Sequence, residues 1–257
     1  MNEGNVFPVD FLADYAATIL RCGATTVRTE KNVQRIAGAC GYHAEINIYP
    51  RHVDVNVTNV GNGKNTTRSR AIPDWEINFS TITALSRLSW RCHDRHPKQE
   101  IIMRQYRRIV NARRISSSAV ISLTALANAS FCRLFGGDYA SMAIVLVATA
   151  CGFYMKGNLC SKWKLDARAA IFMAGCVSAI LSCAGYVFNI GKTPDVALAT
   201  SVLYLVPGIH YLNAASDLIN RHYICAICRF IHAGIMTICL STGLYAAMTI
   251  MRIGLTH

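Results

Sequence analysis

The pattern of apolar and polar positions changes character near residue 117. Before it, apolar residues recur at short periods; after it, they merge into long runs with few charges. Residues 9–22 place Phe11, Leu12, Tyr15, Ile19 and Leu20 on one helical face, and Gly23 follows as a stop. Residues 26–40 do the same with Val27, Val33, Ile36 and Ala37, ending at Gly41. Residues 44–49 and 53–58 alternate as strands, with Val53, Val55 and Val57 giving the clearest period of two. Gly61-Asn62-Gly63-Lys64 is a turn into a third strand over 66–72. Helices over 79–95 and 98–117 follow, separated at Pro97. Residues 1–117 therefore read as a small α+β domain.

Five apolar segments come next, at about 118–135, 139–157, 169–189, 196–219 and 224–251. Each is close to the roughly 20 residues a helix needs to cross a bilayer core. The predicted fold is an α-helical membrane protein with an N-terminal cytosolic α+β domain (1–117) and a five-helix transmembrane domain (118–257). Lys156, Lys162, Lys164 and Arg168 cluster at the second gap and Arg221 lies in the fourth, which puts those gaps and the N-terminus on the cytoplasmic side and the C-terminus outside. Arg133, near the outer end of the first crossing, snorkels to headgroups or pairs with Asp138.

Composition agrees with this division. Apolar residues make up 53% of the chain and charged ones only 16%, too oily for an ordinary soluble protein. Eight of the 11 cysteines lie after residue 131 inside apolar stretches, which argues against a disulfide scaffold. The net charge of +12 is mostly N-terminal: residues 1–117 hold 17 of the 26 Lys+Arg and 10 of the 14 Asp+Glu, leaving 9 and 4 beyond. Arg104, Arg107, Arg108, Arg113 and Arg114 stand just before the first crossing, where they suit anionic lipid or act only as a topology signal. No helix-turn-helix, zinc or RNP pattern accompanies the charge, so nucleic acid is not an expected partner. The opening Met1-Asn2-Glu3-Gly4 lacks the start of a secretory signal. A phosphate-binding loop at Gly61–Lys64 fails, since position 58 is Thr and Asn65 follows the lysine, so no ATP coupling is expected.

The fourth apolar segment carries the candidate chemistry. Pro207 removes a backbone donor and Gly208 adds freedom, so the helix should break near the bilayer midplane. The half beginning at Gly208 would then aim its positive dipole end at mid-depth, an arrangement that suits a carboxylate. His210, Asn213 and Asp217 follow on one face of that half-helix, candidates for a cavity wall. The bland alternatives are a packing kink at Pro207 and a solvated helix end at Asp217. Asn128 in the first crossing and His232 in the fifth are weaker candidates that could simply bond a neighbouring helix. Gly175, Ala179 and Cys183, spaced by four, read as a close helix contact on which a partner's helix could pack. Cys225-Ala226-Ile227-Cys228 has redox spacing without a redox context. No catalytic set, metal site or cofactor is expected.

Two runs carry a family resemblance. Gly23-Ala24-Thr25-Thr26-Val27-Arg28-Thr29-Glu30 and Val206-Pro207-Gly208 with Asn213 and Asp217 resemble the N-terminal half of the threonine/serine exporter family. The similarity covers nearly the whole chain, and the family's pattern has Glu where this chain has Thr25. It implies a cytosolic motif at Gly23, Thr26, Arg28 and Glu30, a bacterial inner-membrane location, and a small companion membrane subunit in a hetero-oligomer, for which self-association could substitute. The split form is similar to the enterobacterial succinate pair. The expected function is therefore a secondary-type exporter subunit for a small carboxylate, succinate or serine/threonine, and not an enzyme. The alternative is a membrane-anchored sensor or scaffold whose cytosolic domain binds a metabolite or protein.

Overall fold

The computed structural model describes residues 7–73, 76–113 and 115–251. Its elements follow the periodicities closely. Helices α1 (Phe7–Arg21) and α2 (Thr26–Ala39) precede strands β1 (Tyr42–Ile48), β2 (His52–Asn59) and β3 (Asn65–Ala71), and then come α3 (Phe79–Arg95) and α4 (Gln99–Val110). The sheet is antiparallel in the order β1-β2-β3, with Val55 opposite Ile46 on one side and Arg68 on the other. Because side chains alternate along a strand, Val53, Val55 and Val57 all face the helices and are fully buried with Tyr15, Val33, Ile36 and Leu85. Tyr15 donates its hydroxyl to the Leu85 carbonyl at 2.9 Å, and burial pushes its phenol well above the ordinary range. On the exposed side Arg68 and Arg70 of β3 reach Asp10 and Asp14 of α1.

Helix α4 stops short of the expected 117. Its apolar repeat ends at Val110, Asn111 caps it, and a new helix starts where the Ser116 side chain accepts from the Ala119 N–H. Arg113 lies beyond α4, and Arg114 falls outside the described residues.

The remaining helices are α5 (Ser117–Leu134), α6 (Tyr139–Ser161), α7 (Ala167–Val187), α8 (Pro194–Ser201), a 3-10 turn at Leu203–Leu205, α9 (Gly208–Ile219) and α10 (Tyr223–Ile250). Contacts sort the chain into two compact units, Met1–Arg113 with Ile209–Ile231, and Arg114–Gly208 with His232–His257. The division at 117/118 thus follows chain order but not contact order, since α9 and the start of α10 pack with the N-terminal fold.

Among the described residues three helices, α6, α7 and α10, are each long and apolar enough to cross a membrane, and α8 with α9 makes a fourth if counted as one broken span. The five crossings read from the sequence are not all reached by length and apolarity: α5 has 18 residues and carries Asn128 and Arg133. Arg133 does not need Asp138; it donates to the Gly137 carbonyl at 3.1 Å and lies over the Tyr139 ring. Asp138 instead caps α6 and accepts from Lys192 N–H and the Thr193 hydroxyl, and these hydrogen bonds, the one from Ser141 first, hold its carboxyl below the ordinary range.

The small-residue face of α7 is already used. Gly175, Ala179 and Cys183 pack inside this chain against a cluster with Leu205 and Leu240, and a Cβ on Gly175 would come within 3.0 Å of Leu240. That surface is therefore closed to a partner's helix, because the close approach it permits is spent on the chain's own helices.

Candidate functional site

Helix α8 ends at Ser201, the chain tightens through the 3-10 turn, and Val206 is extended (φ −61°, ψ 126°), the conformation a residue before proline prefers. Pro207 is buried, and α9 starts at Gly208, whose N–H folds back to the Val206 carbonyl at 2.8 Å. Leaving aside its chain neighbours and its own helix backbone, no heavy atom of the described residues lies within 4 Å of where a Cβ on Gly208 would sit.

His210, Asn213, Ala214 and Asp217 form the buried face of α9. The helix then closes through Arg221, which takes a left-handed conformation (φ 65°), while His222 N–H reaches the Asp217 carbonyl at 2.9 Å. This tight stop turns the chain directly into α10, whose second turn carries Arg229.

The α1–α2 corner is built with equal economy. Gly23 sits at φ 92°, with Ala24 N–H bonded to the Ile19 carbonyl, a turn that a side chain at this position would strain. Thr25 is the N-cap of α2, its hydroxyl accepting from Arg28 N–H at 3.3 Å. A threonine hydroxyl suits that cap.

Within the first unit, α9 and α10 grip this corner. Asn213 Nδ2 donates to the Gly23 carbonyl at 2.9 Å, and Arg229 Nη2 donates to the Ala24 carbonyl at 3.2 Å. Thr26 N–H donates to Asp217 Oδ1 at 3.3 Å, so the carboxylate lies at the positive end of α2 and satisfies one of its orphan donors. The other oxygen, Oδ2, stands 2.8 Å from Arg229 Nη1, with the two side chains 0% and 6% exposed. Cys225 completes the attachment by donating to the Ile48 carbonyl at the end of β1, so the first cysteine of the Cys-x-x-Cys run has a packing role.

The two motif runs, separated by almost the whole chain, thus meet at one place. Gly23, Thr26, Asn213 and Asp217 are brought together there. Glu30 is half-buried and lies 4.0 Å from His222 Nε2. Arg28 is exposed and enters only through its backbone. Arg229 escapes a reading of the sequence; its one signal is a basic residue inside an apolar helix, opposite in sign to Asp217.

Within the second unit Asn128 of α5 donates to the Thr149 hydroxyl (2.7 Å) and the Thr200 carbonyl (3.0 Å). Beside it Ser178 of α7 reaches the Ala148 carbonyl and the Tyr204 hydroxyl. Gly152 makes this possible, because a Cβ there would collide with both hydroxyls. A polar seam therefore joins α5, α6, α7 and the turn that leads into Pro207. Among the described residues there is no His/Cys/Asp/Glu group able to hold a metal ion.

The sequence matches the model of the threonine/serine exporter family, ThrE, over residues 10–251. It is 22% identical to the probable succinate transporter subunit YjjP of Klebsiella aerogenes over 237 residues, covering 91% of this chain and 90% of that one. To the protein of the same name from Escherichia coli strain K12 it is 23% identical over 235 residues, 90% of each chain. No solved structure matches.

Proposed function

The chain belongs to the threonine/serine exporter family, and from that premise we propose that it is one subunit of an exporter that moves a small carboxylate, succinate in preference to serine or threonine, out of the cytoplasm. The family is one of transporters and not of enzymes, and the long apolar helices make this a membrane protein. The family match over nearly the full length is the observation that carries the reading. The preference for succinate rests on the two YjjP relatives, whose name also calls them subunits.

The geometry supplies a physical route. A transporter needs irregular backbone inside protein, where a helix end can meet a charged group. The break at Val206–Gly208 is such a place: the first N–H groups of a helix lack intrahelical partners and carry a partial positive charge. In this reading the substrate carboxylate approaches Gly208, where a Cβ would meet open space, and the polar seam at Asn128 belongs to the same unit. Asn213 and Asp217 act one step removed, because their polar groups hold the Gly23–Thr26 corner. The N-terminal fold is cytoplasmic, the C-terminus is outside, α5 serves as a fifth crossing, and the membrane is the bacterial inner membrane. The companion subunit packs on a face other than Gly175, Ala179 and Cys183. The α4 arginines lie against anionic lipid.

The deciding experiment is efflux from proteoliposomes loaded in turn with succinate, serine and threonine, with and without the companion subunit. Succinate should move fastest, and only with both subunits present. Equal leakage of all three, or movement of none, would defeat the proposal.

A further inference from the structure

A cleft of about 470 Å³ opens on the N-terminal fold between α2 and the C-terminal end of α3. Lys31, Gln34, Arg35, Gly38 and Ala39 of α2 line it together with His93 and His96 at the end of α3. No acidic side chain is among these lining residues. We propose that the cleft is a binding site for a small oxyanion, a carboxylate or a phosphate, separate from the α9 break.

Three observations converge on this. Lys31 and Arg35 are four apart on one helix face, a pairing of like charges that disfavours the helix slightly and that an anion between them would relieve. Attraction of cations to helix C-termini accounts for His93 and His96, at the end of α3, but not for Lys31 and Arg35, which precede the last turn of α2. Glu30, the acid of α2, is not among the lining residues; it accepts from Gln34 Nε2 at 3.4 Å and lies 4.0 Å from His222 Nε2.

The second observation is that the donors are held in place. Arg35 donates to Asn32 Oδ1 at 2.9 Å and its guanidinium lies 3.8 Å over the centre of the Trp90 ring. A guanidinium has more N–H donors than Asn32 uses, so fixing its plane prepares the others for a planar carboxylate or a phosphate. His96 takes a left-handed cap conformation at φ 42°, with Nδ1 3.3 Å from the Ala39 carbonyl, which ties its ring to the end of α2.

The third is Gly38. It lies inside α2, where glycine weakens a helix, and a Cβ there would meet nothing within 4 Å among the described residues. Packing therefore does not require a glycine. What its missing side chain does is leave room in the cleft that it lines.

The test uses the full chain in nanodiscs of zwitterionic lipid, titrated by calorimetry with inorganic phosphate and with succinate. Saturable binding is expected, weakened about tenfold or more by Lys31→Glu, which reverses one charge, and by Gly38→Leu, which fills space in the cleft. Gly38→Leu should melt no lower than the parent, so its loss of binding cannot be ascribed to unfolding. A third arm replaces part of the lipid with phosphatidylglycerol. Unchanged affinity for free phosphate there identifies a soluble anion as the occupant. A lowered apparent affinity identifies a lipid headgroup taking the same site. Absence of saturable binding in every arm, or binding that both variants leave intact, would overturn the proposal.

Discussion

The carboxylate of Asp217 and the guanidinium of Arg229 meet at 2.8 Å where neither is open to solvent, and each also bonds the backbone of the α1–α2 corner. Removing one member of a buried pair leaves an uncompensated charge, which costs roughly 3–5 kcal/mol. Arg229→Met and Asp217→Leu should each lower the thermal stability and accumulation of the chain severely. The double variant should recover a large part of the loss, because no charge is then stranded. Fluorescence-detected size exclusion across a temperature series reads all three. A double variant no better than the worse single one would show that the two residues act independently.

The break in front of α9 behaves differently under mutation. Pro207→Ala restores a backbone donor, and Gly208→Leu enters space that is open in the structure, so neither should harm folding. Both should reach the membrane at normal levels and lose roughly tenfold or more of efflux, as expected if this end meets the substrate. Normal efflux by both would make the break a packing kink.

Most element boundaries were legible because α1, α2, β2 and α3 each bury one face in the N-terminal core, and burying one face imposes a period on the sequence. The single buried residue of α4, Ile102, explains why its far end was not. The membrane part is harder to read, since a lipid-facing position and a core position are both apolar. Nothing in the run Gly175, Ala179, Cys183 says whether the helix it accommodates is the chain's own. Pro207 and Gly208 marked the break correctly. The contacts of Asn213 with Gly23 and of Asp217 with Thr26 could not be read, because they end on backbone atoms, and a backbone carbonyl or N–H leaves no trace in side-chain chemistry.

Topology can be checked independently of transport. In a cysteine-free background, a single cysteine at residue 163 should be shielded from impermeant maleimide outside the cell and one at residue 192 should react. This follows from the basic cluster around Lys162 and Lys164. The reverse pattern would overturn the five-crossing arrangement.

Gly152 offers a test of the polar seam. Gly152→Val places a side chain against the Ser178 and Tyr204 hydroxyls and, at 3.1 Å, the Ala174 carbonyl. Overpacking of this kind costs about 1–3 kcal/mol. The variant should melt below the parent, and adding Ser178→Ala should restore part of the difference. A Gly152→Val chain as stable as the parent would show that α6 and α7 can separate freely.

Alkali should loosen the N-terminal fold. Burial pushes the Cys92 thiol up to about 12, and it raises Cys40 and Tyr106 as well. The unfolded chain therefore ionises first, so the stabilisation is complete below about pH 9 and is lost between 9 and 12. Thermal melts from pH 8 to 10.5 should fall, by about 1 kcal/mol of stability per pH unit from Cys92 alone above its ordinary range. Cys92→Ala should give a shallower slope; an unchanged slope would remove Cys92 as a cause.

Thr26 and Asp217 are separated by 191 residues, and Ala24 and Arg229 by 205. At about 5–20 residues per second, roughly 10–40 s pass between the emergence of the α1–α2 corner from the ribosome and that of the residues that hold it. For that interval the N-terminus of α2 lacks its carboxylate, and Asp217 and Arg229 are still to be delivered by the last two helices. The part of the chain made first is therefore finished last. A nascent chain stopped short of residue 217 lacks both of those bonds and should be cut faster at this corner by added protease, so synthesis of the last two helices would set the clock for maturation of the N-terminal fold.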